Sequence, residues 1–194
     1  MLNMTVSLAE IECVQKNSIC LLDESAVEAM YEKLAADITI ECEHKNPVVL
    51  CVMNGALMAV GALLPRLNFP LELDYIHATR YQGEISGGEL EWKQLPTTEL
   101  VNRTVIIVDD VLDAGITMAK LKAYCQEQGA ARCYTVVLVD KKLKKDKPVQ
   151  ADFVGFQTGD QYLYGLGMDY KGYLRNVKGL YACAENIQEL VCQD

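Results

Sequence analysis

Residues 105–118 read V-I-I-V-D-D-V-L-D-A-G-I-T-M, and this stretch decides the fold. The run from Val105 to Val108 is apolar and β-branched, which is typical of a strand buried on both faces. In an open parallel sheet, ligands bind outside the carboxyl ends of the strands. We therefore predict that Asp109 and Asp110 emerge from the sheet where a ligand is bound.

The acids of this stretch and the small residues after them form a chemical pattern. Asp109, Asp110 and Asp113 repel one another unless a cation or several hydroxyl donors share the site. The next four residues are Ala114, Gly115, Ile116 and Thr117. They open a helix whose first backbone N–H groups can wrap an anion. Acids for hydroxyl groups beside a cradle for phosphate predict a ribose 5-phosphate site, and a strand end with solvated acids and a plain helix cap is the alternative.

Other phosphate and metal motifs do not fit the sequence. No G-x-x-x-x-G-K-[ST] occurs, and the G-L-G at 165–167 is followed by Tyr170 where a dinucleotide fingerprint needs its third glycine. The acids do not alternate as in a calcium loop. A phosphorelay receiver domain is disfavoured because too few residues follow the acidic strand to supply its remaining strands and helices.

Composition indicates one compact globular domain. The chain has 194 residues, of which 51% are hydrophobic and 23% charged, enough to fill a core. Eighteen basic residues against 27 acidic ones give a net charge of −9, which repels nucleic-acid phosphates and anionic lipid. We therefore expect neither nucleic acid nor a membrane as a partner.

The cysteine pattern predicts a reduced, cytoplasmic protein. Eight cysteines lie far apart without a C-x-x-C pair, and several sit in apolar runs as free buried thiols do. The N-terminus lacks the pattern of a secretory signal. The apolar stretch 48–64 is interrupted by Asn54, Gly55 and Gly61, so it predicts a strand and a helix and not a membrane span.

The flanking segments alternate between strand and helix patterns, which predicts a parallel sheet with right-handed crossovers. Strand patterns occur at 48–53, 71–77, 105–109 and 133–139. Helical spacing occurs at 23–43, at 56–66 and after residue 115. The polar stretch 79–102 is long for a connector, as binding loops and lids often are.

The stretch at 105–118 resembles the signature of the phosphoribosyltransferases that use phosphoribosyl pyrophosphate. That signature consists of an apolar strand, two acids, two apolar residues and then D-T-G-x-T. Ala114 stands where threonine is usual. The remaining chain is similar to the hypoxanthine-guanine phosphoribosyltransferases in 79–93 (T-R-Y-Q-G-E-I-S-G-G-E-L-E-W-K), 139–142 (V-D-K-K), 151–156 and 167–176.

This resemblance implies the α/β phosphoribosyltransferase type I fold, with a mainly parallel five-stranded sheet flanked by helices and a small hood. We expect one domain over 1–194, with the core at about 23–150 and the hood formed by about 1–22 and 151–194. It also implies a purine-salvage enzyme that uses Mg²⁺ to transfer ribose 5-phosphate to N9 of hypoxanthine or guanine. The products would be IMP or GMP and pyrophosphate, and family members form homodimers or homotetramers.

The resemblance assigns roles around the acidic turn. Asp109 and Asp110 would hold the ribose hydroxyls directly or through the metal, and residues 114–117 would bind the 5′-phosphate. Asp113 would be the general acid/base at purine N7, against the alternative of a helix cap. Asp169 would be a second metal carboxylate and Arg175 a pyrophosphate contact, against the alternative of a buried structural salt bridge between them.

Further residues are assigned to the base and to the pyrophosphate. Lys141 would donate to the 6-oxo group, and the Leu163 backbone would meet the edge of the base. Tyr162 would stack on the base, against the alternative of an ordinary strand aromatic. The Asn54-Gly55 turn would hold pyrophosphate, although a lysine is common at position 54. Arg80 and Tyr81 would begin a mobile loop over 79–93 that closes on the site. A pyrimidine or xanthine phosphoribosyltransferase, and a nucleic-acid-binding regulator on the same fold, are the alternative functions.

Overall fold

The computed structural model describes residues 6–80 and 90–184, which form a large sheet covered by helices and a smaller sheet beside it. The strands are β1 (Ile19–Leu22), β2 (Val48–Met53), β3 (Glu72–Arg80), β4 (Leu90–Gln94), β5 (Thr104–Leu112), β6 (Arg132–Lys141), β7 (Phe153–Thr158), β8 (Leu163–Tyr164) and β9 (Leu180–Ala182). The helices are α1 (Leu8–Asn17), α2 (Glu24–Cys42), α3 (Leu57–Leu63) and α4 (Ile116–Glu127), with a 3-10 turn at Leu64–Arg66.

The large sheet confirms the predicted α/β class, although it has six strands where five were predicted. Its order is β4-β3-β2-β5-β6-β7, and every neighbouring pair is parallel except β3 with β4. The strand β4 is a polar segment at the sheet edge, which pairs antiparallel to β3. Its charged residues made it resemble a loop, because an edge strand needs no continuous apolar run.

The predicted boundary between core and hood near residue 150 is too early by one strand. Strand β7 pairs parallel to β6 in the large sheet instead of joining the hood. It packs under α2, where a side-chain carbon on Gly155 would lie 2.6 Å from the Met30 sulfur. The absence of a side chain at Gly155 lets the helix approach the sheet closely.

Helix α2 confirms the spacing argument for residues 23–43. The Asp23 side chain accepts a hydrogen bond from the Ala26 N–H at 2.9 Å, which satisfies one of the free donors at the helix start. The residues at spacings of three and four are all buried against the sheet. They are Val27, Met30, Leu34 and Ile38. This apolar face holds the helix on the large sheet.

The hood is a three-stranded sheet in the order β1-β9-β8, with both pairs antiparallel. Helix α1, which the sequence patterns did not indicate, packs beside it. Its Ile11 and Val14 join Tyr164, Tyr170 and Cys183 in a small buried cluster separate from the main core. The two ends of the described chain therefore come together over the carboxyl edge of the large sheet.

In residues 6–80 and 90–184, none of the helices is both long and apolar enough to cross a membrane. The seven cysteines described there are all unpaired thiols.

Candidate active site

The carboxyl ends of β2, β3 and β5 open into one cleft of about 490 Å³. Nine of the residues singled out from the sequence line it. They are Asn54, Gly55, Asp109, Asp110, Asp113, Gly115, Thr117, Asp169 and Arg175. We refer to this space as the large cleft. Because parallel strands end at the same edge of the sheet, the topology brings the ends of β2 and β5 together, and the segment between β8 and β9 adds Asp169 and Arg175.

The acid pair lies at the floor of the large cleft. The Asp109 carboxylate accepts from the Asp110 N–H at 2.9 Å, and the Asp110 carboxylate accepts from the Val111 N–H at 2.7 Å. Burial raises the pKa of both carboxyls, and at Asp109 the neighbouring charge of Asp110 raises the pKa further. Among the described residues, no ion pair to a basic side chain reaches either carboxylate within 4 Å. Two neighbouring acids, of which Asp110 is buried and Asp109 half-buried, have no direct counter-charge and are suited to a ligand that brings a cation or hydroxyl donors.

Two backbone turns press against Asp110. A side-chain carbon on Gly55 would lie 2.2 Å from an Asp110 carboxylate oxygen, so any other residue there would displace this carboxylate. The peptide bond between Met53 and Asn54, which begins this turn, is cis. Gly167, with φ of +105°, approaches so closely that a side-chain carbon on it would lie 1.9 Å from the Gly55 carbonyl oxygen. Sequence analysis missed Gly167, because its G-L-G was tested only against a nucleotide fingerprint that it fails.

Asp169 and Arg175 form an ion pair at the opposite wall of the large cleft. The Arg175 guanidinium lies 2.6 Å from an Asp169 carboxylate oxygen and also donates to the Gly167 carbonyl at 2.6 Å. The other Asp169 oxygen accepts from the Gly172 N–H at 2.6 Å. The two residues do form a salt bridge, but it is not the buried one considered from the sequence, because the side chains are 34% and 31% exposed and both line the cleft.

The acid pair fits a magnesium ion better than a closed metal cage. Within the described part of the chain, no three His, Cys, Asp or Glu side chains are arranged to hold a metal. Mg²⁺ is commonly bound by one or two carboxylates and completes its shell with water and substrate oxygens. Asp109 and Asp110 supply that kind of donor set, whereas Asp169 is engaged by Arg175.

The turn after Asp113 has the backbone form expected of a phosphate cradle. Gly115 has φ of +75° and precedes the first turn of α4, which is anchored by the Ala119 N–H donating to the Gly115 carbonyl at 3.0 Å. Gly115 and Thr117 line the large cleft. Ile116 is exposed and Ala114 half-buried, and neither is among the residues lining the cleft. The cradle therefore depends on backbone donors and on the Thr117 hydroxyl.

A second space of about 140 Å³, here called the small cleft, adjoins the large one. Its lining consists of Asp110, Val111, Lys141, Tyr162, Leu163, Met168 and Asp169. Three of these residues, Asp110, Val111 and Asp169, also line the large cleft. The two spaces therefore share one wall, as a site for two joined ligands requires.

The small cleft combines one cation with an aromatic ring. The Lys141 ammonium lies 3.8 Å from an Asp113 carboxylate oxygen and 3.9 Å from Asp160, which sequence analysis did not single out. The Tyr162 ring is exposed and meets the Tyr170 ring edge-on, with centroids 5.7 Å apart. Leu163 is buried in β8 beneath it. This arrangement can hold a planar ring with an acceptor directed toward Lys141.

The end of β3 adds residues that the sequence reasoning did not assign. His77 and Thr79 line the large cleft, and the signal that could have found them is the position of β3 beside β2 in the parallel sheet. Arg80 ends β3. Tyr81, and residues 81–89 of the loop predicted over 79–93, lie outside the described residues.

Comparison with known proteins points to one family. The phosphoribosyl transferase domain model matches residues 20–171. A hypoxanthine-guanine-xanthine phosphoribosyltransferase of Tritrichomonas foetus is 33% identical over 168 residues, covering 86% of this chain and 92% of that protein. A hypoxanthine-guanine phosphoribosyltransferase of Bacillus subtilis is 28% identical over 158 residues, covering 81% and 88%. A hypoxanthine phosphoribosyltransferase structure from Staphylococcus aureus has a TM-score of 0.83 at 23% identity, covering 89% and 95%.

Proposed function

This chain belongs to the hypoxanthine-guanine phosphoribosyltransferases of the phosphoribosyl transferase family, and on that premise we propose that it makes IMP or GMP. It transfers ribose 5-phosphate from phosphoribosyl pyrophosphate to N9 of hypoxanthine or guanine and releases pyrophosphate. The observation that carries the proposal is the shared wall of the two clefts at Asp110, Val111 and Asp169. A sugar phosphate in the large cleft would present its C1 to a base in the small one.

The sugar donor occupies the large cleft. Asp109 and Asp110 accept from the ribose hydroxyls, and the turn at 114–117 holds the 5′-phosphate with backbone N–H groups and the Thr117 hydroxyl. The Asn54-Gly55 turn and Arg175 receive the pyrophosphate. Their positions along one cleft support this order.

Magnesium belongs to the donor end of the site. Asp109 and Asp110 are the residues that would hold it, and Asp169 joins them if Arg175 turns from Asp169 to the pyrophosphate. When bound, Mg²⁺ offsets the negative charge of the donor and of the leaving pyrophosphate. Binding of the metal and of the sugar donor also offsets the free-energy cost of keeping two neighbouring carboxylates charged and buried.

The base occupies the small cleft. Lys141 donates to the 6-oxo group, Tyr162 stacks on the ring, and the Leu163 backbone meets the ring edge. A donor at this position favours a 6-oxopurine over adenine, which presents an amino group where an acceptor is wanted.

Asp113 lines the large cleft and contacts Lys141 of the small one, which supports its role at the point of transfer. A carboxylate there manages the proton at purine N7 and stabilises positive charge on the ribose as the bond to pyrophosphate breaks. The predicted loop over 79–93 is shorter than expected, because Thr79 and Arg80 belong to β3 and residues 90–93 to β4. We also propose that the segment joining these strands, with Arg80 before it and Tyr81 in it, closes over this step and excludes water.

The partners are small molecules, namely phosphoribosyl pyrophosphate and a 6-oxopurine. The net charge of −9 disfavours nucleic acid and anionic membranes as partners. We propose the cytoplasm as the compartment, which the unpaired thiols support, and a homodimer or homotetramer as the assembly.

One assay tests the proposal. Pyrophosphate release from phosphoribosyl pyrophosphate is measured with Mg²⁺ and, in turn, hypoxanthine, guanine, xanthine, adenine and uracil. We expect turnover with hypoxanthine or guanine that is lost on chelation of the metal. Turnover only with xanthine or uracil would instead assign the chain as a xanthine or pyrimidine phosphoribosyltransferase. Donor binding without turnover on any base would favour a nucleic-acid-binding regulator.

A further inference from the structure

Lys147 lies behind the active site, in the loop that follows β6. Its ammonium donates to the Leu112 carbonyl at 2.5 Å and to an Asp140 carboxylate oxygen at 2.6 Å. The Lys147 and Asp140 side chains are each only 13% exposed. A lysine held this deeply between two acceptors forms a specific link, unlike the solvated lysines around it.

The two acceptors belong to the strand ends that carry the reacting groups. Leu112 and Asp140 are register partners across the parallel pair β5 and β6. Asp113 follows Leu112 directly, and Lys141 follows Asp140 directly. The Asp113 carboxylate and the Lys141 ammonium lie 3.8 Å apart, so a small shift of either strand end would change their spacing.

We propose that Lys147 is a positioning residue that fixes Asp113 and Lys141 relative to each other by clamping the ends of β5 and β6. This inference rests on the proposed function, since it concerns the two residues assigned to proton transfer and base recognition. Lys147 itself does not line either cleft.

Two further observations support the clamp. Burial alone would raise the pKa of Asp140, but hydrogen bonds from Lys147 and Lys142 hold this pKa below its usual value. The Lys147 stem also packs beside the turn at 114–117, here called the phosphate turn, where a side-chain carbon on Gly115 would lie 3.3 Å from the Lys147 Cβ. The ammonium thus holds the strand ends, while the stem supports the turn.

Because the ammonium and the stem of Lys147 make different contacts, one substitution can remove the first and keep the second. Lys147→Met keeps most of the stem and removes the ammonium. We expect the donor dissociation constant to change less than about twofold, because the phosphate turn keeps its packing. We expect kcat with hypoxanthine to fall and its KM to rise, with kcat/KM lower by about 100-fold, the loss typical of a misplacement near 1 Å.

Lys142→Met is the matched control. Lys142 also pairs with Asp140, at 3.2 Å, but its side chain is 61% exposed and does not bridge the two strand ends. We expect its kinetic constants to stay within about twofold of the unmodified protein, as for most exposed ion pairs. Lys147→Arg, which can donate to both acceptors, should recover part of the lost kcat.

A second variant covers the case in which Lys147→Met does not fold. Asp140→Asn keeps the shape of the acceptor and removes its charge, and we expect the same pattern of kinetic change at smaller size. If both variants match Lys142→Met, or if donor affinity falls as much as kcat/KM, Lys147 is not a positioning residue. An unmodified protein inactive on every 6-oxopurine would instead overturn the proposed function.

Discussion

Asp113 is half-exposed at the edge of the large cleft, with Lys141 on one side and the phosphate turn on the other. Its position separates donor binding from the transfer step, because the acids assigned to the ribose are Asp109 and Asp110. A residue that acts only when the bond to the sugar breaks should affect turnover and leave the bound donor unchanged.

We predict that Asp113→Asn lowers kcat by about 100-fold or more, since the amide can neither take a proton nor balance a positive sugar. Donor affinity measured by calorimetry should stay within about twofold, a range typical of a change that removes no ground-state contact. Asp146→Asn, an exposed acid outside both clefts, is the control. Unchanged turnover in Asp113→Asn would remove the residue from its assigned role.

Lys141 is the residue that we propose to determine base specificity. Its side chain is 15% exposed, lies near the carboxylates of Asp113 and Asp160, and lines the small cleft. We predict that Lys141→Ala lowers kcat/KM for hypoxanthine by about 100-fold, because a site built to hydrogen-bond one substrate group depends strongly on it. Donor affinity should change little. Lys144→Ala, exposed in the following loop, serves as the control, and a preference of the unmodified protein for adenine would contradict the role.

At the scale of elements, the buried strands could be predicted because their sequences are continuous apolar runs. The segments 48–53 and 105–109 both fall inside observed strands, and 23–43 is a helix capped by Asp23. The strand β4 could not be predicted this way, since an edge strand gains its place by pairing with β3 and not by burial. Helix α1 likewise depends on the hood cluster that it helps to form.

The residues of the candidate site also differ in whether the sequence alone could predict them. Residues in one stretch, such as Asp109 and Thr117, could be predicted because their chemistry is contiguous. Gly167 could not, because its importance arises from contact with Gly55, more than a hundred residues away. His77 and Thr79 needed the strand order, which is a property of the folded sheet.

The contact between the Gly55 and Gly167 turns gives an element-scale prediction. Gly167→Ala must displace the Gly55 backbone as well as adopt a left-handed φ, so we expect about 3 kcal/mol less free energy of unfolding and weaker donor binding. Gly172→Ala is the control, because Gly172 has φ of +92° but nothing within 4 Å. It should lose only about 1 kcal/mol, the conformational cost alone. Urea unfolding measures the free energy of unfolding of both variants. Equal losses would show that the close approach of the two turns does not affect the cost of a side chain at position 167.

The hood and the core of the molecule meet at the large cleft. Arg175, in the segment leading to β9, reaches the Gly167 carbonyl, and Glu10 of α1 accepts from the Tyr170 hydroxyl at 2.9 Å and from Lys171 at 2.7 Å. These links fix the loop that carries Asp169 over the edge of the large sheet. The acid pair then lies buried between the two parts, where its charge opposes the folded state until a ligand binds.

This opposition predicts how stability depends on pH. Because burial raises the pKa of Asp109 and Asp110 in the folded protein, the folded state holds protons that the unfolded state has already released. The contribution of this pair to the free energy of unfolding is therefore fully present below the ordinary carboxyl pKa of about 4. It is lost as the pH rises through the higher pKa values of the folded protein. Removing one charge should reduce that loss.

We therefore predict that Asp110→Asn raises the free energy of unfolding at pH 7 by about 1 to 2 kcal/mol, as at other sites where function opposes stability. Phosphoribosyl pyrophosphate with Mg²⁺ at about 100 times its dissociation constant should stabilise the unmodified protein by about 2.7 kcal/mol. The same addition should stabilise Asp110→Asn much less, because the variant has lost a ligand to the donor. Thermal unfolding from pH 4 to 8, with Asp146→Asn alongside, measures both effects. A variant less stable than the unmodified protein at pH 7, or one with an equal ligand shift, would mean that the buried acid pair is held for the fold and not for the sugar donor.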